Sequence, residues 1–189
     1  MEEKYIQHPY TGSKLVLFGP ESTGKTILSE QLARHYDTRF VPEYMRIYLQ
    51  KKWDARKETC VYSDLLSIAE GQMKLENQLA KEVKNLLFCD TNLLELKVYS
   101  ETYYNGSVPQ ILDKTSLENK YDLYLLTYID TPWVKDDLRD KPHEREEMFY
   151  RFKECLDKYD LPYVIVKGDK ATRLQEAIRT IDQLIQRKR

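Results

Sequence analysis

An α/β architecture, with a five-stranded, mostly parallel sheet and helices on both faces, is predicted by three observations. Short apolar runs recur along the chain, spaced widely enough to leave a helix between each pair. The intervening segments place their apolar residues at helical intervals. The first apolar run closes on a turn containing two glycines that leads straight into a helix, the strand–loop–helix connection of parallel sheets.

Lys14-Leu15-Val16-Leu17-Phe18 is closed by Gly19 and Pro20 and reads as a buried strand. Residues 25–35 follow as a helix with Leu28 and Leu32 on one face. Phe40 and Val41 form a brief second strand stopped by Pro42, and a helix runs from Tyr44 to about Lys52. Ser63 is a candidate N-cap for a long helix reaching about Val83, along which Leu66, Ala69, Met73, Ala80 and Val83 repeat. Leu86 to Asp90 is a third strand ending in a carboxylate. A helix from about Leu93 to Ser100 then leads into a loop carrying Gly106 and Pro109. Tyr121 to Thr127 is the fourth strand, Glu144 to Lys158 a charged helix, and Tyr163 to Val166 the fifth strand. Asp169 caps a last helix whose Leu174, Ala177, Ile178, Ile181 and Leu184 share a face. Neither periodicity explains Asp130 to Arg145, and long loops in compact domains are usually functional. The simplest organisation is one domain over residues 1–189, with residues 1–13 as an N-terminal tail and a lid at about 130–145.

Composition narrows the function classes. With 32% charged and 41% hydrophobic residues, the 189-residue chain fits a soluble globular protein. A formal charge of −1 argues against a nucleic-acid partner. The first residues lack the apolar core of a signal peptide, and no apolar run approaches bilayer length. Cys60, Cys89 and Cys155 show neither metal nor redox spacing, and Cys89 reads as a buried thiol in a strand. These features point to a cytoplasmic protein with no membrane partner. Nothing in the sequence specifies an oligomeric state.

The chemistry begins at Gly19-Pro20-Glu21-Ser22-Thr23-Gly24-Lys25-Thr26, which meets the spacing G-x-x-x-x-G-K-[ST]. Such a loop turns its backbone N–H groups toward phosphates, and the helix that follows presents its positive end to the same anion. Lys25 would reach the β- and γ-phosphates of ATP, the Thr26 hydroxyl would ligate Mg2+, and Glu21, Ser22 and Thr23 complete the cradle. Asp90, at the C-terminal end of an apolar strand, is the candidate magnesium-organising acid. Asp90, Thr91 and Asn92 are equally suited to capping the next helix.

The acceptor side is read from Val41-Pro42-Glu43-Tyr44-Met45-Arg46. Ligands of open α/β sheets bind beyond the carboxyl ends of the strands, so Glu43 would face the phosphate crevice and take the proton of an attacking hydroxyl. The alternative is an exposed Glu43–Arg46 pair of little energetic weight. Gly71-Gln72 interrupts the long helix and implies a close contact there, with a neighbouring element or with a ligand. Tyr44, Arg46, Gln72, Asn92 and Tyr104 complete the candidate substrate contacts, and Tyr103 and Tyr104 are placed to stack on a flat ring. In the lid, Arg139 and Arg145 are candidates for neutralising transferring phosphate charge; the alternative is a solvated charged loop.

Taken in order, Gly19–Thr26, Val41–Arg46, Ile68-Ala69-Glu70-Gly71-Gln72, Cys89-Asp90-Thr91 and Trp133-Val134-Lys135-Asp136-Asp137-Leu138-Arg139 resemble the nicotinamide riboside kinase domain of the NadR family of NAD-biosynthesis proteins. The resemblance runs from about Lys14 to the last helix. It implies a P-loop NTPase fold of the nucleoside and nucleotide kinase type, and ATP-dependent phosphorylation of the 5′-hydroxyl of nicotinamide riboside. It also implies Lys25 and Thr26 on ATP–magnesium, Asp90 at the metal, Glu43 as general base and Arg139 in the lid. Three departures qualify it. The family usually carries an adenylyltransferase domain ahead of this one, so the second step to NAD is not expected from this chain. Its Asp-Thr-Asp is here Asp90-Thr91-Asn92, and its glycine before the lid Leu/Thr-Arg pair is here Asp137. Rival readings are a kinase for another ring-bearing alcohol, such as a nucleoside or thiamine, and a non-catalytic ATP-binding regulatory module. A nucleic-acid-dependent ATPase is disfavoured by the balanced charge.

Overall fold

The computed structural model describes residues 2–138 and 143–188. Strands β1 (Ser13–Phe18), β2 (Arg39–Val41), β3 (Leu86–Asp90), β4 (Leu123–Thr127) and β5 (Tyr163–Val166) form one sheet in the order β2-β3-β1-β4-β5. Every pairing is parallel. The central strands are apolar at nearly every position because both faces are covered. Alternation along β1 sends Leu15 and Leu17 to one face, under Leu28 and Leu32 of α1 (Lys25–His35) and Ala177 and Ile181 of α7 (Lys170–Lys188). Val16 and Phe18 face the other way, under Leu94 and Val98 of α4 (Leu93–Tyr103) and Phe149 and Phe152 of α6 (Arg145–Lys158).

A third apolar cluster joins α2 (Tyr44–Arg56), α3 (Leu65–Leu79), α4 and α5 (Gln110–Glu118) beside the sheet. Helix α5 stands where the sequence predicts only a loop. Pro109 is its N-terminal boundary rather than loop punctuation, and Leu112 and Thr115 are fully buried. Helix α3 ends at Leu79, short of the predicted Val83, and the charged run Lys81–Lys84 turns toward β3. At its head Asp64, not Ser63, makes the stabilising contacts: it accepts from Val61 N at 2.9 Å, Lys52 Nζ at 2.7 Å and Tyr48 Oη at 3.0 Å. Burial opposes ionisation, but these partners hold the Asp64 carboxyl below its ordinary range.

The N-terminal residues are a docked strap. Asn77 and Asn119 replace missing sheet partners, with Asn77 Nδ2 donating to Ile6 O at 2.9 Å and Asn119 Nδ2 to Tyr5 O at 3.1 Å. Beneath the strap Glu76, with no exposure, accepts from Lys14 Nζ at 2.7 Å, Gln7 Nε2 at 2.8 Å and Tyr121 Oη at 2.8 Å. Among the described residues no helix is long and apolar enough to cross a membrane.

The register delivers the functional positions to one edge. Leu17 of β1 lies beside Asp90 of β3, Val41 of β2 beside Cys89, and Phe18 beside Leu126 of β4. The turns after β1, β2, β3 and β4 therefore open on the same crevice. The predicted contact at Gly71 is with a neighbouring helix: a Cβ there would fall 1.9 Å from the Tyr44 ring. Alanine ordinarily stabilises a helix over glycine by about 0.5–1 kcal/mol. Here Gly71→Ala is expected to destabilise by about 1–3 kcal/mol, since the ring must be displaced; urea unfolding showing a gain instead would contradict this packing. Glu76→Gln leaves the buried Lys14 ammonium without its counter-charge and is expected to cost about 3–5 kcal/mol in the same assay.

Candidate active site

The loop between β1 and α1 is shaped by backbone that favours glycine. Gly19 has φ 129° and Gly24 φ 83°, and a Cβ on Gly19 would approach Thr127 O and Oγ1 at 3.0 Å. Gly24 occupies the N-cap of α1 and no side chain caps that end, which leaves the helix start directed at an incoming anion. The loop is braced from outside. Thr23 Oγ1 donates to Pro20 O at 2.8 Å and lies 2.7 Å from Thr127 Oγ1, while Arg173 Nη1 donates to Thr23 O at 2.5 Å. Ser22 is held by the segment after β4: Thr131 Oγ1 donates to Ser22 O at 2.8 Å, and Val134 N to Ser22 Oγ at 2.9 Å. Arg145 Nη2 donates to Ser22 O at 3.1 Å, with its guanidinium over the Trp133 ring. Arg145 thus grips the loop backbone. Arg139 lies outside the described residues.

Inside this frame Lys25 is buried, at 7% exposure. Its ammonium donates to Gly19 O at 2.7 Å and Pro20 O at 2.9 Å, and stands 3.2 Å from Glu95 Oε1 at an angle too oblique for a hydrogen bond. Burial pulls the lysine down, but the charges of Glu95, Glu43 and Asp90 outweigh it and hold Lys25 above its ordinary value. Burial, reinforced by Glu43, raises Asp90 to about 6 against the opposing pull of Lys25 and Thr26. Burial also raises Glu95 to about 8, with Glu43 and Asp90 adding to it and Lys25 opposing.

The Asp90 carboxylate accepts from the Thr26 hydroxyl at 2.5 Å through Oδ2, and its buried Oδ1 has no hydrogen-bond partner among the described residues. An orphaned carboxylate oxygen beside a hydroxyl suits a hard cation such as magnesium, which takes one or two protein oxygens and completes its shell with water and phosphate. Among the described residues no group of three or more His, Cys, Asp and Glu side chains forms a closed metal cage, and this mode of binding needs none.

Glu43 stands at the N-cap of α2, makes no capping bond, and lines a cavity of about 350 Å³. Its lining includes Glu21–Ile27 of the phosphate loop. It also includes the apolar and aromatic Met45, Leu49, Leu65, Leu96, Tyr99, Tyr103 and Tyr104, with Cys60. Tyr104 is set edge-on to Tyr62 at 5.2 Å. Asp137 and Leu138 close the rim, and Arg46, also lining the cavity, pairs with Asp136 at 2.5 Å rather than with Glu43.

Other predicted contacts sit in the scaffold. The Gln72 amide accepts from Tyr44 N at 2.7 Å and donates to Pro42 O at 3.4 Å, so it fixes the turn that presents Glu43. The Tyr44 ring is packed over Gly71. Asn92 Oδ1 caps α4 by accepting from Glu95 N at 3.1 Å, and its Nδ2 donates to Tyr124 Oη at 3.2 Å. Sequence reasoning missed Glu95, Arg173, Thr127 and Asp136. Glu95 interrupts an apolar helical run, Leu93-Leu94-Glu95-Leu96, and that interruption was the available signal.

Comparison with known proteins bears on the family and the fold. The AAA domain family matches residues 14–173. The trifunctional NAD biosynthesis/regulator protein NadR of Escherichia coli (strain K12) is 26% identical over 163 residues, which are 85% of this chain and 40% of that protein. The chain thus spans less than half of that relative's length. The crystal structure of a NadR protein in complex with NR superposes with a TM-score of 0.74 at 23% identity, over 92% of this chain and 52% of the other. A deoxyadenosine kinase from M. mycoides with bound dATP gives 0.65 at 20% identity, over 89% of this chain and 99% of the other. These structures establish the P-loop kinase-type fold. With the family matched from β1 into α7, and with NadR among its relatives as the sequence motifs imply, the chain belongs to the AAA domain family.

Proposed function

We propose that this chain is a small-molecule kinase that transfers the γ-phosphoryl group of ATP to the 5′-hydroxyl of nicotinamide riboside, giving nicotinamide mononucleotide. One observation carries the reading. A single cavity is lined by the phosphate loop with Lys25 and Thr26, by apolar and tyrosine side chains, and by Glu43. Such a mixed lining suits a phosphate-bearing donor together with a flat-ringed alcohol. The likeness to NadR supports the choice of acceptor.

In this reading the loop backbone and Lys25 bind the donor phosphates, and Tyr103 and Tyr104 flank the acceptor ring. Glu43 accepts the proton of the 5′-hydroxyl as its oxygen bonds to the γ-phosphorus. The bond from that phosphorus to the β–γ bridging oxygen breaks, and ADP leaves with the electron pair. Thr26 and Asp90 would hold magnesium, which supplies charge neutralisation at the phosphates. Residues 130–138 with Arg145 form the lid that keeps water from the transfer, and Arg139 is assigned the role of neutralising phosphate charge. The reaction belongs to NAD salvage in the cytoplasm, with no nucleic acid or membrane as partner.

Glu43→Gln is expected to lower kcat by roughly 10²–10⁴-fold while leaving the Kd for Mg-ATP within about twofold. An ATP-binding regulatory module would show no loss of turnover because it has none. In an ADP-release assay over a panel of ring-bearing alcohols, nicotinamide riboside should give the highest kcat/KM. Turnover of another nucleoside or of thiamine, with none of nicotinamide riboside, would reassign the acceptor. Asp90→Asn should raise the magnesium concentration needed for half-maximal rate by about 10–100-fold, read by magnesium titration at saturating ATP.

A further inference from the structure

Lys25 has three N–H bonds to give, and in this structure two go to the carbonyls of Gly19 and Pro20 while the ammonium stands in ion-pair contact with Glu95. Phosphate binding needs those same donors. Glu95 is an unusual counter-ion. It lies in the first turn of α4 at 2% exposure, and its Oε2 has no hydrogen-bond partner among the described residues. A buried carboxylate so poorly satisfied is costly, and as a source of stability alone it would be a weak device. Its placement makes sense if it acts on Lys25. Triphosphate entering the loop meets an ammonium held back by a carboxylate, and must draw it off before the cradle is complete.

We propose that Glu95 is a positioning residue that keeps Lys25 retracted on the loop carbonyls until the phosphates of the nucleotide displace it, so that donor affinity is set against the breaking of this ion pair. The inference rests on the donor-site reading above. Glu43 and Asp90 also act on Lys25, but Glu95 is the carboxylate with a direct contact. Removing the Glu95 charge therefore has opposite consequences for the two states. The empty protein loses the counter-charge of a buried lysine, and the nucleotide complex loses a competitor.

Titration calorimetry with Mg-ATP at about pH 9, where Glu95, raised by burial to about 8, carries its charge, tests this, paired with thermal unfolding of the nucleotide-free protein at the same pH. Glu95→Gln keeps the side-chain shape and leaves the Asn92 cap, which uses the backbone N–H of residue 95. It should bind Mg-ATP roughly tenfold more tightly, within the 5–150-fold span usual for coupled sites, while its melting temperature falls. A merely structural residue would move affinity and stability together, both downward. In a Lys25→Ala background the same Glu95→Gln change should leave Kd unaltered, because the effect runs through the lysine. Glu95→Asp, a smaller perturbation should Glu95→Gln not fold, withdraws the carboxylate from Lys25 and should tighten binding by a smaller factor. Unchanged or weaker binding in these variants would overturn the proposal, as would a gain that persists without Lys25, which would make Glu95 a direct repeller of phosphate. Failure of the wild-type chain to bind Mg-ATP at all is a separate result: it would overturn the donor-site reading and this inference with it.

Discussion

At the C-terminal edge of the sheet, one buried ammonium is set against three carboxylates. Lys25 comes from the phosphate loop, Glu43 from the turn after β2, Asp90 from the end of β3 and Glu95 from the first turn of α4. Burial raises Asp90 and Glu95 out of the ordinary carboxylate range, and Lys25 is the shared charge that opposes the shift. Such a cluster is tolerable only while each acid has the cation, a hydroxyl or a proton to face. It therefore stores an unmet demand for positive charge, which a divalent cation at Asp90 would meet.

The rest of the fold keeps that cluster in place. Parallel strands can deliver residues to one edge only if their register is fixed, and the apolar layers on both faces fix it. Backbone is then held by side chains outside the lining of the cavity beside Glu43. Arg173 ties the loop carbonyl of Thr23 to Gly168 O at 2.9 Å, Tyr128 O at 2.8 Å and the carboxylate of Asp130, joining three turns through one guanidinium. Gln72 does the same for the turn bearing Glu43, and Gly71 gives the Tyr44 ring room to lie against α3. A hydrogen bond from a buried side chain to a turn is worth about 1 kcal/mol in stability. Its value to catalysis is larger, because small misplacements of reacting groups cost rate steeply.

The legible parts of the sequence were those governed by local rules. The strand core, the phosphate loop and the capped last helix each depend on neighbours within a few residues, and all stand where periodicity and glycine chemistry put them. Helix α5 is illegible because nine residues hold too few apolar positions to show a period, and Pro109 reads as part of a loop although it marks a helix start. The Asn92 cap is among the sequence readings, but the scaffold roles of Gln72 and Tyr44 are illegible for another reason. A polar residue pointed at a ligand and one pointed at a backbone carbonyl look identical in sequence, and only tertiary placement separates them. The partner of Arg46 illustrates this: Glu43 is three residues away, yet the ion pair forms with Asp136, ninety residues on, because the segment after β4 folds back over the loop.

The departure at Asn92 acquires a physical reason once Glu95 is in view. Asparagine and aspartate are comparable as N-caps, and Asn92 does cap α4 through its carbonyl oxygen. An aspartate there would add another carboxylate beside Asp90, against the single charge of Lys25. Placing the acid one helical turn on, at Glu95, and leaving residue 92 neutral preserves the cap without overloading the cluster. A neutral residue thus caps the helix while the acid one turn on contacts the lysine.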